Sequence, residues 1–226
     1  VADAGPEAFP PDGPVGGRAK RALDLAVALP LLVALSPVMA AIALWVRRDS
    51  PGPALFRQTR IGYAGRPFTL LKFRSMVVGA EGIGAGLRVT SGDDRITRSG
   101  TVLRALSLDE LPQLINIVRG DMSLVGPRPT VPAQVARYSP RQRRRLRARP
   151  GVTGLAQVRG RNDIPWSVRI EHDIEYVEGW SMRRDLAILA RTALVVGARR
   201  GTYNDRAPVF DLPADGQDGD RGDARG

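Results

Sequence analysis

The chemistry in this sequence is concentrated in Leu106-Ser107-Leu108-Asp109-Glu110-Leu111-Pro112-Gln113, where two adjacent carboxylates stand at the start of an amphipathic helix. A carboxylate can attack phosphorus and form an acyl phosphate. Its neighbour can hold Mg²⁺, a hard cation bound through one or two carboxylates together with substrate phosphate oxygens. Adjacent helical positions point in different directions, which suits two separate roles. The same residues admit a second reading. Ser107 to Glu110 has the spacing of a capping box, and acids suit the positive end of a helix. Capping would account for Glu110 and leave Asp109 incidental. Pro112 weighs against it, because in a helix capped by Ser107 it falls past the first turn and removes a backbone hydrogen bond. On the residues alone, capping and catalysis stand level.

Three basic elements surround this pair in the chain. Gly120-Asp121-Met122-Ser123-Leu124-Val125-Gly126-Pro127-Arg128-Pro129 brackets Arg128 between two prolines. A guanidinium held in that way matches phosphate oxygens in bidentate geometry, although Pro-Arg-Pro is also simply a stiff loop. In Lys72-Phe73-Arg74-Ser75-Met76 the cations alternate with Phe73 as on a strand, and an exposed strand face is the plainer expectation. The run Arg141 to Arg149 reads as a solvated helix face lying near anionic lipid. With one histidine, His172, and no cysteine, zinc sites built on Cys and His, disulfides and Ser-His-Asp triads have no material. His172 reads as a surface or capping residue.

These residues must be positioned by elements that the pattern predicts. Leu25 to Val46 is one apolar run, flanked by Arg18, Lys20 and Arg21 before it and by Arg47 and Arg48 after it. Its length as a helix is roughly 33 Å at 1.5 Å per residue, enough to cross a bilayer core. Three forms compete. A signal peptide requires a shorter apolar stretch with a cleavage site. A kinked spanning helix fits the length. A re-entrant hairpin fits Ser36-Pro37 at the middle of the run and the basic residues at both ends, which the positive-inside tendency draws to the same face. Beyond Asp49 the chain is soluble in character. Short strands are predicted at Ala54 to Phe56 and Phe68 to Phe73, around a Gly62/Gly65 turn. Ile83 to Ser99 reads as a loop. A helix through Leu111, Leu114, Ile115 and Val118 stops at Gly120, and further helices are predicted over Val131 to Arg149, Trp166 to Tyr176 and Asp185 to Ala198. The fold class is α+β, mostly helical, with a small sheet. Residues 1–17 and 206–226, rich in Pro, Gly, Asp and Arg, read as disordered tails around a membrane segment at 18–48 and a domain at 49–205. The net charge of +11 favours polyanionic partners, whether lipid headgroups or phosphorylated substrates. An aromatic content of only 5% argues against nucleic acid, whose single-stranded binders stack bases on rings.

Taken in order, these segments closely resemble the catalytic core of the bacterial sugar transferases, or monotopic phosphoglycosyl transferases. The matching pieces are Lys20-Arg21-Ala22-Leu23-Asp24 with Ser36-Pro37, Ser50-Pro51-Gly52-Pro53, Lys72 to Met76, Ser107 to Gln113, Gly120 to Pro129, Arg149-Pro150-Gly151-Val152-Thr153-Gly154 and Gly160-Arg161-Asn162. The resemblance covers roughly residues 18 to 200 and implies a re-entrant membrane helix broken at Ser36-Pro37, on the cytoplasmic face of a bacterial inner membrane. It further implies Asp109 as nucleophile on a nucleotide diphosphate sugar, normally a UDP-sugar, with release of UMP and transfer of the sugar phosphate to a polyprenyl (undecaprenyl) phosphate. Glu110 would bind Mg²⁺, Lys72, Arg104 and Arg128 would lie near the phosphates, and Asp185 would fill an acidic position of the site. Many relatives carry Trp where Leu155 stands and Asn where Arg159 stands. The lack of an N-terminal multi-helix extension or a fused downstream domain implies a minimal version or an excised catalytic region. Two other classes compete: a non-catalytic basic membrane module, and a single-span anchor bearing a nucleic-acid-binding domain. Both leave the Asp109-Glu110 pair without purpose. The sugar and the oligomeric state are not legible in one chain.

Overall fold

The structure, a computed structural model, describes residues 13–83, 92–160 and 164–197, together with Leu212. Most of the tails expected at 1–17 and 206–226, part of the loop expected between Ile83 and Ser99, and Arg161-Asn162 lie outside the described residues.

The apolar run forms α1, Gly17–Asp49. It stays helical through Pro30 and Pro37, so the break expected at Ser36-Pro37 is not found in the backbone. A proline lacks the N–H that would reach the carbonyl four residues back, and for Pro37 that carbonyl is Val33. The Ser36 hydroxyl donates to Val33 O at 2.8 Å and so satisfies it locally. Along the middle of α1, Leu29, Leu31, Val33, Val38, Leu44 and Trp45 are exposed. Both ends are tied to the same body. At the N-terminal end Lys20 Nζ meets Asp185 Oδ2 at 2.5 Å, and Asp24 Oδ1 accepts from Ser123 Oγ and from Leu124 N, each at 2.9 Å. At the C-terminal end Ile42 and Val46 pack with Phe73 and Leu103.

Antiparallel strands β1 (Leu55–Ile61) and β2 (Pro67–Phe73) pair from Leu55↔Phe73 to Ile61↔Pro67, longer than the sequence pattern predicts. Their outer edge on β2 is closed by one side chain. Asn116, fully buried, accepts from Leu71 N at 3.0 Å and donates to Thr69 O at 2.8 Å, acting as a short surrogate strand. Asn116 belongs to α3, Gln113–Arg119, whose end is set by Gly120 at φ 91 as the sequence predicts. Arg21 donates to the terminal α3 carbonyls of Ile117 and Val118, at 2.5 and 2.8 Å. Between the hairpin and α3 lies α2, Arg98–Ala105, with Thr97 as its N-cap. Gly100 allows α2 to cross directly over the Ser75 carbonyl, which a Cβ at 100 would overlap. A second, parallel pair joins β3 (Ser123–Val125) to β4 (Gly151–Thr153).

The helix expected over Val131 to Arg149 is not continuous. It divides into α4 (Pro132–Val135), α5 (Pro140–Arg143) and a 3₁₀ turn at Arg144–Arg147. Ser139 forms a capping box with Gln142, and Pro140 occupies the first turn that follows, so a new helix starts where the pattern runs on. α6 (Leu155–Gly160), α7 (Trp166–Glu178) and α8 (Met182–Gly197) complete the body. The main core gathers Ala28 of α1, Leu70 of β2, Leu114 and Ile117 of α3, Leu124 and Val125 of β3, Tyr176 of α7 and Ile188 of α8. The fold is mostly helical, with two small sheets and one long apolar helix at the N-terminal end.

Candidate active site

Asp109 and Glu110 stand in a 3₁₀ turn, Leu108–Glu110, that precedes α3. The turn is launched by Ser107 in the left-handed region, at φ 57. A residue with a Cβ is strained there by about 1–2 kcal/mol. The Ser107 side chain makes no capping hydrogen bond to the turn, so the capping-box alternative is overturned. Pro112 precedes the first residue of α3 and so removes no helical hydrogen bond.

Because Asn116 clamps α3 onto β2, the acidic turn lies over the β2 side chain Lys72. Lys72 Nζ meets Glu110 Oε1 at 2.7 Å, and Arg128 Nη2 approaches the same oxygen at 3.3 Å. Lys72 is therefore no free strand cation. Nor is Arg74, which is buried and donates to the carbonyls of Pro51, Pro53 and Ser50 at 2.7–2.8 Å, joining the end of α1 to the sheet. Arg104, one turn after Gly100 on α2, reaches Ser75 Oγ at 3.4 Å. The Arg128 loop is fixed by its backbone: Arg145 Nη2 donates to Arg128 O at 2.9 Å. Arg145 itself is buried and ion-paired with Asp173 at 2.5 Å, and it also donates to Tyr138 Oη. Within the run expected to be a solvated face, Arg141 and Arg144 are exposed, pairing with Glu171 and Glu178, whereas Arg145 is a buried strut. A buried ion pair across 28 residues has no local sequence signal. His172 is half-exposed beside Glu175 and Arg159 on the surface.

The two carboxylates are electrostatically unlike. Burial pushes the Asp109 carboxyl up from its ordinary value and the adjacent Glu110 charge adds to this, against the pull of Lys72, Arg104 and Arg128. Burial also opposes charge on Glu110, but there Lys72 and Arg128 win and its pKa falls to about 2. Among the described residues no hydrogen bond holds the Asp109 carboxyl. Glu110 Oε1 takes both cations, while Oε2 carries no hydrogen bond from any described residue. These oxygens fit a hard divalent cation that draws its other ligands from substrate phosphates and water. No group of three acidic or histidine side chains able to hold a metal alone occurs among the described residues.

Asp109, Glu110, Lys72, Arg104 and Arg128 share one cavity of about 1070 Å³, which extends past Leu111 and Leu114 to Leu31 and Leu35 of α1. Its wall carries eight basic side chains (Arg57, Arg60, Lys72, Arg74, Arg104, Arg128, Arg145, Arg169) against four acidic ones (Glu81, Asp109, Glu110, Asp173). Asp185 is not brought to this cavity. It is fully buried between α1, α7 and α8, accepting from Lys20, Tyr176 Oη (2.7 Å) and Trp180 Nε1 (3.1 Å). Ser36 and Pro37 lie outside the cavity wall as well.

Residues 15–199 match the model of the family described as bacterial sugar transferase. The chain belongs to this family. A Caulobacter vibrioides protein named UDP-glucose:undecaprenyl-phosphate glucose-1-phosphate transferase is 49% identical over 181 residues, covering 76% of this chain and 67% of that protein. The exopolysaccharide production protein ExoY of Sinorhizobium fredii is 40% identical, with 84% and 90% covered. The undecaprenyl-phosphate galactose phosphotransferase of Salmonella typhimurium is 42% identical over 81% of this chain and 41% of its own length. This sugar transferase is accordingly an enzyme, and α1 gives it a means of membrane association. Only 11% of the most apolar stretch of α1 is buried, far less than a soluble core helix requires.

Proposed function

We propose that this sugar transferase moves a sugar-1-phosphate from a UDP-sugar to polyprenyl (undecaprenyl) phosphate through a covalent intermediate on Asp109. The observation that carries it is the Asp109 carboxyl: buried, held by no hydrogen bond among the described residues and ringed by Lys72, Arg104 and Arg128 in a positive cavity that runs to α1. An Asp109 oxygen attacks the phosphorus that bears the sugar. The bond from that phosphorus to the bridging oxygen breaks, and UMP leaves with the electron pair. A phosphate oxygen of the lipid then attacks the same phosphorus. The acyl-phosphate bond breaks, Asp109 is restored and the sugar is left on a lipid diphosphate. Phosphoryl transfer is largely positioning and charge stabilisation, which cations around an unencumbered carboxylate provide. Bound Mg²⁺ would neutralise phosphate charge, with Glu110 Oε2 as its carboxylate ligand. Lys72 and Arg128, released from Glu110, would turn to the donor phosphates. Asp185 serves this reading as the anchor of α1 rather than as a donor ligand.

The relatives' names support the donor and acceptor classes. For α1, a re-entrant course, with both helix ends on one membrane face, is supported by the attachment of both ends to one body and by the exposed apolar middle, the helix continuing through Ser36-Pro37 rather than folding back there. In this reading the enzyme works at the cytoplasmic face of the inner membrane, its net charge of +11 favouring anionic lipid. In the deciding experiment, protein in detergent receives Mg²⁺ and labelled UDP-sugar without lipid, and is digested for mass spectrometry. A phospho-sugar adduct on the Asp109 peptide and one equivalent of UMP are expected. Normal product formation by Asp109→Asn sinks the mechanism. Reporter cysteines at the two ends of α1 labelled from opposite sides of a vesicle sink the re-entrant reading.

A further inference from the structure

Most cations on the cavity wall are already committed. Arg74 is spent on backbone carbonyls and Arg145 on Asp173, Tyr138 and the Arg128 carbonyl. Lys72 and Arg128 share Glu110. Arg60, on β1 and absent from the sequence-derived site, differs. Its Nη1 donates to Pro129 O at 3.0 Å. Its Nε is buried and donates to nothing among the described residues, and Nη2 likewise has no bond. Nε and Nη2 form the side edge of a guanidinium, the edge that binds phosphate or carboxylate in bidentate fashion. A buried donor without an acceptor is costly, because its lost hydration is not replaced. Burial and the neighbouring Arg128 charge lower the Arg60 pKa to about 10, with Glu81 and Glu110 offsetting only part of this. On the same side of β1, Gln58 Oε1 is also buried without a donor, while its amide nitrogen is spent on Glu81.

We propose that Arg60 is a further donor-binding residue: its Nε–Nη2 edge takes phosphate oxygens of the nucleoside diphosphate sugar, while Nη1 holds the Arg128 loop through Pro129. This rests on the donor reading above and adds to it a second guanidinium beside Arg128. Two arginines gripping adjacent phosphates would fix the diphosphate in line with Asp109. A purely structural Arg60 would act on the donor only through its brace to Pro129, so a variant that keeps that hydrogen bond would leave donor affinity untouched.

The test uses the full chain in detergent with Mg²⁺, comparing wild type, Arg60→Gln and Arg60→Lys. Calorimetry gives the Kd for UDP, and steady-state assays with UDP-glucose and UDP-galactose give kcat and KM. Arg60→Gln can still donate to Pro129 O but lacks the charge; a rise of about tenfold or more in UDP Kd and donor KM is expected, the loss of a charge-assisted contact. Arg60→Lys keeps the charge and a strut but not the fork, and an intermediate rise is expected. The rate at which preformed adduct passes to lipid phosphate should change less than either. Unchanged UDP Kd in both variants, even with a lower Tm, overturns the proposal and leaves the Asp109 mechanism standing. Should Arg60→Gln fail to fold, an unchanged Kd in Arg60→Lys overturns it equally. If wild type neither binds UDP nor forms an adduct, the donor reading fails and takes this proposal with it.

Discussion

Two acid–base clusters line one cavity in this protein and are built on opposite plans. In the first, Arg145 and Asp173 are both buried and mutually paired, and the remaining guanidinium hydrogens go to Tyr138, Thr130 and the Arg128 carbonyl. Every charge has an answer. In the second, among the described residues, Glu110 answers two cations with one oxygen, Asp109 answers none by hydrogen bonding, and Arg60 keeps an unfilled edge. A closed network holds a loop in place, and an open one waits for charges that the protein lacks. The first positions Arg128 for the second, so one is the scaffold of the other.

The contrast can be broken at several points. The largest expected effect is on catalysis. Asp109→Asn is expected to lower UMP release by on the order of 10⁴-fold or more, as removal of a nucleophile does. Its Tm should not fall, because burial raises the Asp109 pKa and makes its charge unfavourable to the fold at neutral pH. A large drop in Tm would place Asp109 among the structural carboxylates. The same raised pKa predicts that metal-free wild type gains stability relative to Asp109→Asn as pH falls towards the ordinary carboxylate range, since protonation relieves the buried charge. Next in size, Asp173→Ala leaves Arg145 buried and unpaired, and a loss of about 3–5 kcal/mol in denaturant unfolding is expected. A neutral outcome would mean that the closed network is not what holds the Arg128 loop.

A smaller effect concerns Glu110. Its pKa is depressed to about 2 by Lys72 and Arg128, against the penalty of burial. Its stabilising contribution is thus complete above the unfolded value of 4.5 and is lost as pH falls from there towards 2. Lys72→Met is expected to lower stability at pH 6 by on the order of 1 kcal/mol, the two forms converging as pH approaches 2. An undiminished difference at low pH would assign the Lys72 effect to packing. The smallest expected change is at the membrane helix. Ser36→Ala removes the hydroxyl that satisfies Val33 O beside Pro37, with a loss of about 0.5–1.5 kcal/mol. No change in helix stability in bilayers would show that the carbonyl finds another donor.

Local pattern alone specified a good deal. The apolar run that became α1, the hairpin around Gly62 and Gly65, the stop of α3 at Gly120 and the adjacency of Asp109 and Glu110 are all set by residues within a few positions of one another. Hydrophobic period, glycine and proline carry that information. Only the tertiary structure decided which charges meet. Asn116 closing the edge of β2, Arg145 buried on Asp173, Arg21 on the end of α3 and Lys20 on Asp185 join residues from 28 to 165 positions apart. In sequence each of these is an ordinary polar residue. The same holds for Arg60 and for the split of the Val131 to Arg149 segment. Burial turns a solvated charge into one that must find a partner, and burial is a property of the assembled body rather than of any local stretch of chain.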